Sequence, residues 1–197
     1  MDTITSENKK NVNIYMEANP NPNSLKFVAN FVLVDMGETY DFPDLASTES
    51  APLAKAIFQD FKYVTRVFYM SNFVTVTKTD DVLWEEVRNE LKDYIQTYLE
   101  KDLPVLTKSE SDAPEAYKGD DETILKIIEI LDEYIKPAVE QDGGAISFHS
   151  YEDGIVKVLL QGACSGCPSS TVTLKAGIES LLKRALPEIQ AVEAVEM

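Results

Sequence analysis

The stretch QGACSGCPSS, from Gln161 to Ser170, holds both cysteines of the chain, Cys164 and Cys167. An apolar run, Ile155 to Leu160, precedes it and predicts a strand. An apolar-periodic segment, opened by one of the two serines that close the stretch, follows it and predicts a helix. The cysteines are therefore predicted in a strand-to-helix loop, where the helix dipole and free N–H groups lower the pKa of a thiol and favour thiolate.

Two cysteines at this spacing are compatible with three kinds of chemistry. The pair forms a recurring half-site for zinc and iron–sulfur centres. The same spacing ahead of a helix also serves dithiol–disulfide redox reactions. The third interpretation is a pair of inert, buried thiols, and it is disfavoured because Gly166 between the cysteines and Pro168 after them indicate a shaped loop.

The number of possible ligands limits the metal interpretation. A zinc ion or an iron–sulfur cluster usually takes four protein ligands, and this chain supplies two cysteines. His149 is the only histidine, and a lone histidine in a predicted strand is more typical of a surface or core residue. A cluster would therefore be shared by two chains about a two-fold axis, as [4Fe-4S] or [2Fe-2S]. Such a site should be exposed and easily lost, which suits a donor of clusters better than an electron carrier.

From about Asp121 to Met197 the chain resembles the C-terminal domain of NifU, which is shared with the Nfu family of iron–sulfur carriers. The N-terminal half resembles the Nfu-type N-terminal domain. The resemblance is found in the following segments: IKPAVEQDGG (Ile135 to Gly144), YEDGIVKVLLQGAC (Tyr151 to Cys164), CSGCPSSTVTLKAGIESLL (Cys164 to Leu182), NPNPNSLKFVAN (Asn19 to Asn30), SAPLAKAIF (Ser50 to Phe58) and VFYMSNFVTVTK (Val67 to Lys78).

The resemblance implies a non-enzymatic carrier rather than a catalyst. It implies a [4Fe-4S] cluster bridged in a homodimer by Cys164 and Cys167 of each subunit, with [2Fe-2S] as the other form. Its partners would be an upstream assembly scaffold and recipient apo iron–sulfur proteins. Gly162 and Gly166 would let the backbone approach the cluster, with their N–H groups free to bond its sulfides. Two alternatives stay open, a thiol–disulfide oxidoreductase and a structural zinc site between two chains.

The net charge of −16 is spread over the whole chain. Before Asp120 there are 12 basic and 20 acidic residues, and from it onward 6 and 14, so each part carries −8. This surface argues against nucleic acid, whose phosphates require Lys and Arg, and against anionic membranes. No apolar run could span a membrane, and residues 1–13 resemble neither a signal nor a transit peptide. We therefore expect a cytoplasmic protein.

The fold class expected is α/β of the α+β type, with two small domains that each pack a short mixed sheet against helices. The predicted boundaries are residues 1–100 for an Nfu-type N-terminal domain, 101–119 for a flexible linker, and 120–197 for a NifU-type cluster-binding domain. In the first domain the residues themselves indicate no metal cluster, nucleophile–base pair or phosphate loop. The family resemblance suggests that this domain faces a partner.

The element pattern supports this division. In the first domain we predict strands at Val12–Glu17, Tyr63–Met70 and Phe73–Thr79, one or two strands around Asn30 within Ser24–Val34, helices at Ser50–Gln59 and from Asp80 or Asp81 to Glu100, and a loop at Asp35–Glu49. In the second we predict a helix capped by Asp120 or Asp121 and kinked or ended at Pro137, a hairpin of Ala145–Tyr151 with Ile155–Leu160, a helix stopping before Pro187, and a strand at Ile189–Val195.

Overall fold

The chain forms two separate sheets, each with its own helices, in a computed structural model that describes residues 11–107, 117–165 and 168–195. For residues 168–171 only the helical backbone is described. The strands are β1 Ile14–Ala18, β2 Ser24–Ala29, β3 Thr39–Phe42, β4 Val64–Met70, β5 Phe73–Lys78, β6 Gly144–Glu152, β7 Ile155–Gly162 and β8 Ala191–Val195. The helices are α1 Pro52–Asp60, α2 Trp84–Glu100, α3 Glu122–Ile130, α4 Lys136–Gln141 and α5 Pro168–Ala185, with a 3-10 turn at Ala46–Thr48.

The first sheet has the order β1-β2-β5-β4-β3, and all its pairings are antiparallel. Alternation along each strand sends one set of side chains toward α1 and α2, where they form a core with Ile57, Leu91 and Ile95. The other set faces the second domain. The second sheet has the order β6-β7-β8 and is the mixed one, because β8 runs parallel to β7. The predicted α+β class is confirmed, although only this second sheet mixes strand directions.

Strand β3 corrects the sequence prediction of an irregular loop at Asp35–Glu49. It forms the edge of the first sheet, paired to β4. Its polar residues Thr39 and Asp41 suggest a solvent-exposed loop, but both are buried. They point to the face of the sheet that the second domain covers, so their polarity reflects an interface rather than solvent.

The other differences concern where elements begin and end. The predicted strand Ser24–Val34 ends at Ala29, since the next residues bend away from the sheet. Helix α2 begins at Trp84, with Leu83 at its N-cap in place of the predicted Asp80 or Asp81. Helix α5 begins at Pro168, ahead of the predicted serines, because proline suits the first helical turn.

Proline 137 neither ends nor simply kinks the first helix of the second domain. The helix passes from α3 through a π-helical turn, Leu131–Ile135, into α4, where Pro137 lies in the first turn. Proline has no N–H and is tolerated at that place. The π turn is the local adjustment that lets the chain continue to Gln141.

Helix α3 begins at a side-chain cap that can be tested by substitution. Oδ1 of Asp121 accepts a hydrogen bond from the Ile124 N–H at 3.0 Å. We expect Asp121→Ala to lower the free energy of unfolding of the second domain by about 1 kcal/mol, because this N–H loses its partner. Urea denaturation followed by circular dichroism measures the change. Asp120→Ala is the matched control and should have almost no effect; equal losses in both variants would contradict the assignment.

Residues beyond the predicted boundary at residue 100 still pack on the first domain, as far as Thr107. Val105 and Leu106 contact its core, and the Thr107 N–H donates to the Ser50 carbonyl oxygen at 2.8 Å. The rest of the predicted linker up to residue 116 lies outside the described residues. Within the described ranges, none of the helices is both long and apolar enough to cross a bilayer.

Candidate functional site

The cysteine loop connects the end of β7 to the start of α5, as the sequence predicts. It begins at Gly162, which has a φ of +64°, a value that favours glycine. A turn follows, in which the Ser165 N–H donates to the Gly162 carbonyl oxygen at 3.1 Å. Cys167, the second predicted ligand, lies outside the described residues together with Gly166.

Cys164 is buried, with 6% of its surface exposed, and packs against the core of the second domain. Gly144, the first residue of β6, lies close to Cys164 and pairs with Gly162. A Cβ atom on Gly144 would lie 2.9 Å from the Cys164 Sγ and 2.6 Å from the Gln161 carbonyl oxygen. The expectation of an exposed site is therefore not met at Cys164 in this arrangement.

The turn Asp142–Gly144 forms the other side of the loop, a role that sequence reasoning missed. Gly143 has a φ of +79°, and its carbonyl oxygen accepts a hydrogen bond from the Ala163 N–H at 3.3 Å. Partial burial raises the pKa of Asp142, and the nearby ammonium of Lys26 acts in the opposite direction. The Gly-Gly pair was the available signal, since two adjacent glycines mark a close approach of backbones.

The first domain contacts the cysteine loop directly. Asn21 Nδ2 donates to the carbonyl oxygen of Ala163, the residue before Cys164, at 2.9 Å. The Gly162 N–H is directed at Asp41 Oδ2, 3.4 Å away, so in this arrangement it faces the first domain rather than a cluster. Thr39 Oγ1 donates to Gln161 Oε1 at 3.1 Å.

His149 lies away from the loop, as its sequence setting suggests. It is an exposed residue of β6, five positions along from Gly144 and therefore about 16 Å away at the rise of an extended strand. Its Nδ1 is 3.4 Å from Ser150 Oγ. The described part of the chain holds no group of three or more His, Cys, Asp or Glu side chains that could bind a metal ion.

These features define a two-domain α+β protein with a cysteine-bearing strand–helix loop in its second domain. Residues 127–193 match the family model described as the NifU-like domain, and residues 14–102 match the scaffold protein Nfu/NifU N-terminal model. The chain belongs to the Nfu family of NifU-like proteins. This membership supports a role in iron–sulfur cluster assembly.

Relatives from fruit flies match almost the whole chain. The NFU1 iron–sulfur cluster scaffold homolog, mitochondrial, of Drosophila persimilis is 40% identical over 193 residues, which cover 98% of this chain and 68% of the relative. Its counterpart in Drosophila grimshawi is 41% identical over 183 residues, covering 92% and 61%. The chain thus spans about two thirds of the length of these relatives.

A solution structure of a NifU-like protein from Saccharomyces cerevisiae matches with a TM-score of 0.45 and 23% identity, over 50% of this chain and 87% of that one. The fold described above rests on the sheets themselves and not on this likeness.

The prediction of a cytoplasmic location is wrong. The Drosophila relatives are named as mitochondrial proteins, which contradicts it. The prediction draws on the absence of an apolar run that could span a membrane and on the composition of residues 1–13, and neither feature identifies a compartment.

Proposed function

We propose that this chain carries a [4Fe-4S] cluster held between two copies, with Cys164 and Cys167 of each copy as ligands. The observation that carries the proposal is a loop with the only two cysteines of the chain, placed between strand and helix in a NifU-like domain. Two chains supply the four thiolates that such a cluster takes. The second form that we propose for the same site is a [2Fe-2S] cluster with two thiolates per iron.

The proposed reaction is ligand exchange on the cargo cluster. Each recipient cysteine loses its proton to solvent and its sulfur binds an iron, while the displaced thiolate of Cys164 or Cys167 takes up a proton from solvent. No iron or sulfide changes oxidation state, so the step needs no oxidant or reductant. Each copy enters the step with two iron-bound thiolates and leaves it with two free thiols.

The partners proposed are a second copy of this chain, an upstream scaffold that loads it, and apo iron–sulfur proteins that receive the cluster. We propose mitochondria as the place of this exchange, in keeping with the names of the relatives. The proposed division is a first domain over residues 1–100 that serves partner choice, a linker over 101–119, and a cluster-binding domain over 120–197. The contacts of Val105, Leu106 and Thr107 with the first domain support an end of that domain slightly after residue 100.

Transfer is tested with an apo enzyme whose activity requires a [4Fe-4S] cluster. We expect the loaded chain to restore activity in the presence of an iron chelator, because the cluster passes directly between thiolates. The control supplies the same amounts of free iron and sulfide, whose activation the chelator should suppress. If the chelator suppressed both reactions equally, direct transfer would be ruled out.

A further inference from the structure

The first sheet has two buried faces, and only one of them belongs to its own core. Val67 and Tyr69 of β4 point toward α1 and α2, whereas Arg66 and Phe68 point to the opposite side. A sheet face that were simply solvated would carry exposed polar residues. Here the residues of that second face are buried by the second domain, namely Lys26, Val28, Thr39, Asp41, Phe68, Phe73 and Thr75. We refer to these seven residues as the covering face.

The covering face bonds to the two turns that frame Cys164. Thr75 Oγ1 donates to the Gly143 carbonyl oxygen at 2.7 Å, on one side of the cysteine. Thr39 and Asp41 contact Gln161 and Gly162 on the other side, through the bonds given above. Two of these three bonds involve backbone atoms of glycines, Gly143 and Gly162. The covering face therefore recognises the backbone shape of the loop.

The charged side chains of the covering face also complement the second domain. Asp41 is paired with Arg66 at 2.5 Å, and its side chain is only 3% exposed. Lys26 Nζ lies 3.4 Å from the carbonyl oxygen of Gln141, at the last turn of α4, where a cation complements the helix dipole. The covering face therefore places a cation at the negative end of that helix and a carboxylate near an N–H of the loop.

The apolar part of the contact is small. Within the described residues, Phe68, Phe73 and Val28 form a buried apolar cluster with Ala145 of the second domain. Phe68 also lies against Gly162, where an added Cβ would be 2.8 Å from the ring. A cavity of about 460 Å³ remains between the domains, with Thr39 and Gln161 in its lining. A contact that combines these hydrogen bonds with an unfilled cavity resembles interfaces between domains that move relative to each other.

We propose that the covering face binds the cysteine loop of its own chain in the unloaded protein, and that it must leave the loop before two copies can share a cluster. The second part of this inference, which concerns cluster sharing, rests on the proposed function. Gln161 and Ala163, which bond to Thr39 and Asn21 of the first domain, are each 2% exposed. A cluster shared by two chains requires two such loops to meet, and the first domain occupies one approach to each of them.

The test measures how accessible Cys164 is in the full-length chain without iron. Cys167→Ser leaves Cys164 as the only thiol, and N-ethylmaleimide then alkylates it at a rate that reports exposure. Thr75→Asp puts a carboxylate against the Gly143 carbonyl oxygen in place of the hydrogen bond. We expect alkylation about tenfold faster or more. An unpaired buried polar group lowers, by at least that factor, the equilibrium constant for contact between the covering face and the loop. Hydrogen exchange at Gly162 should accelerate in parallel.

Thr65→Asp is the matched control, since Thr65 is exposed at the bulge of β4 and its hydroxyl donates to the Thr77 carbonyl oxygen within the first domain. It should leave both rates unchanged. If Thr75→Asp fails to fold, Asn21→Ala removes the bond to Ala163 without adding charge and should still raise the alkylation rate several-fold. Equal hydrogen-exchange rates at Gly162 in the parent and the folded interface variants, together with equal alkylation rates, would overturn the covering role.

The two hypotheses fail separately. The alkylation and exchange rates are measured without a cluster, so they judge the covering face alone. If it covers the loop and the proposed function is correct, Thr75→Asp should also acquire the cluster faster than the parent with both cysteines. A parent chain that acquires no cluster would overturn the proposed function and leave the covering face as a contact between domains.

Discussion

Serine in place of Cys164 is expected to abolish stable cluster binding while the apo protein keeps its fold. The substitution removes a thiolate that we assign to iron, and a serine oxygen is a poor replacement in a site held by sulfur. Because Cys164 is buried beside Gly144, the new hydroxyl should also lower the free energy of unfolding by about 1–3 kcal/mol. Iron and sulfide analysis after anaerobic reconstitution measures the first effect, and urea denaturation the second.

Ser165→Ala is the control for this variant. It changes the neighbouring residue, whose buried hydroxyl makes no hydrogen bond within the described structure, and it leaves both thiols in place. It should bind as much iron and sulfide as the parent. A Cys164→Ser protein that still acquired and transferred a full cluster would rule out Cys164 as a ligand.

The second large effect is expected at Gly144, where an alanine has no room. Its Cβ would lie 2.6 Å from the Gln161 carbonyl oxygen, 2.9 Å from the Cys164 Sγ and 3.2 Å from the Cys164 nitrogen. Two of these contacts are backbone atoms, so the cysteine loop must shift. We expect Gly144→Ala to lower the free energy of unfolding of the second domain by about 1–3 kcal/mol, and to reduce the cluster content severalfold.

Gly177→Ala provides the same chemical change at a site with space. This glycine is exposed within α5, and nothing lies within 4 Å of an added Cβ. It should raise the free energy of unfolding by about 0.5–1 kcal/mol through helix propensity and leave cluster binding unchanged. Similar effects of the two alanines on stability would show that the contact between Gly144 and the loop is unimportant.

The sequence predicted the second domain closely because its signals are local. The cap at Asp121, the hairpin turn at Glu152 to Gly154 and the loop between β7 and α5 all follow from residues adjacent in the chain. The π turn before Pro137 was not predictable, because it depends on how α3 and α4 share one packing surface against β6. The compartment was also missed, for it is not encoded in the fold.

The contact between the domains could not be derived from the sequence. Thr39, Asp41 and Thr75 are polar residues of strands. Their alternation with apolar neighbours indicates a solvent-exposed face of the sheet as readily as an interface. The turn Asn19–Asn23 likewise reads as a simple turn, yet it brings the Asn21 amide to the residue before Cys164. Long-range pairings of this kind leave no local pattern, and the covering role proposed for the first domain rests on them.

The most direct test of the central claim is anaerobic reconstitution with iron and sulfide, followed by absorbance, metal and sulfide analysis, and native mass. We predict a broad charge-transfer band, with four irons and four sulfides in a species that contains two chains. A colourless monomer that instead cycles one disulfide between Cys164 and Cys167, or a colourless dimer that holds zinc, would contradict the account.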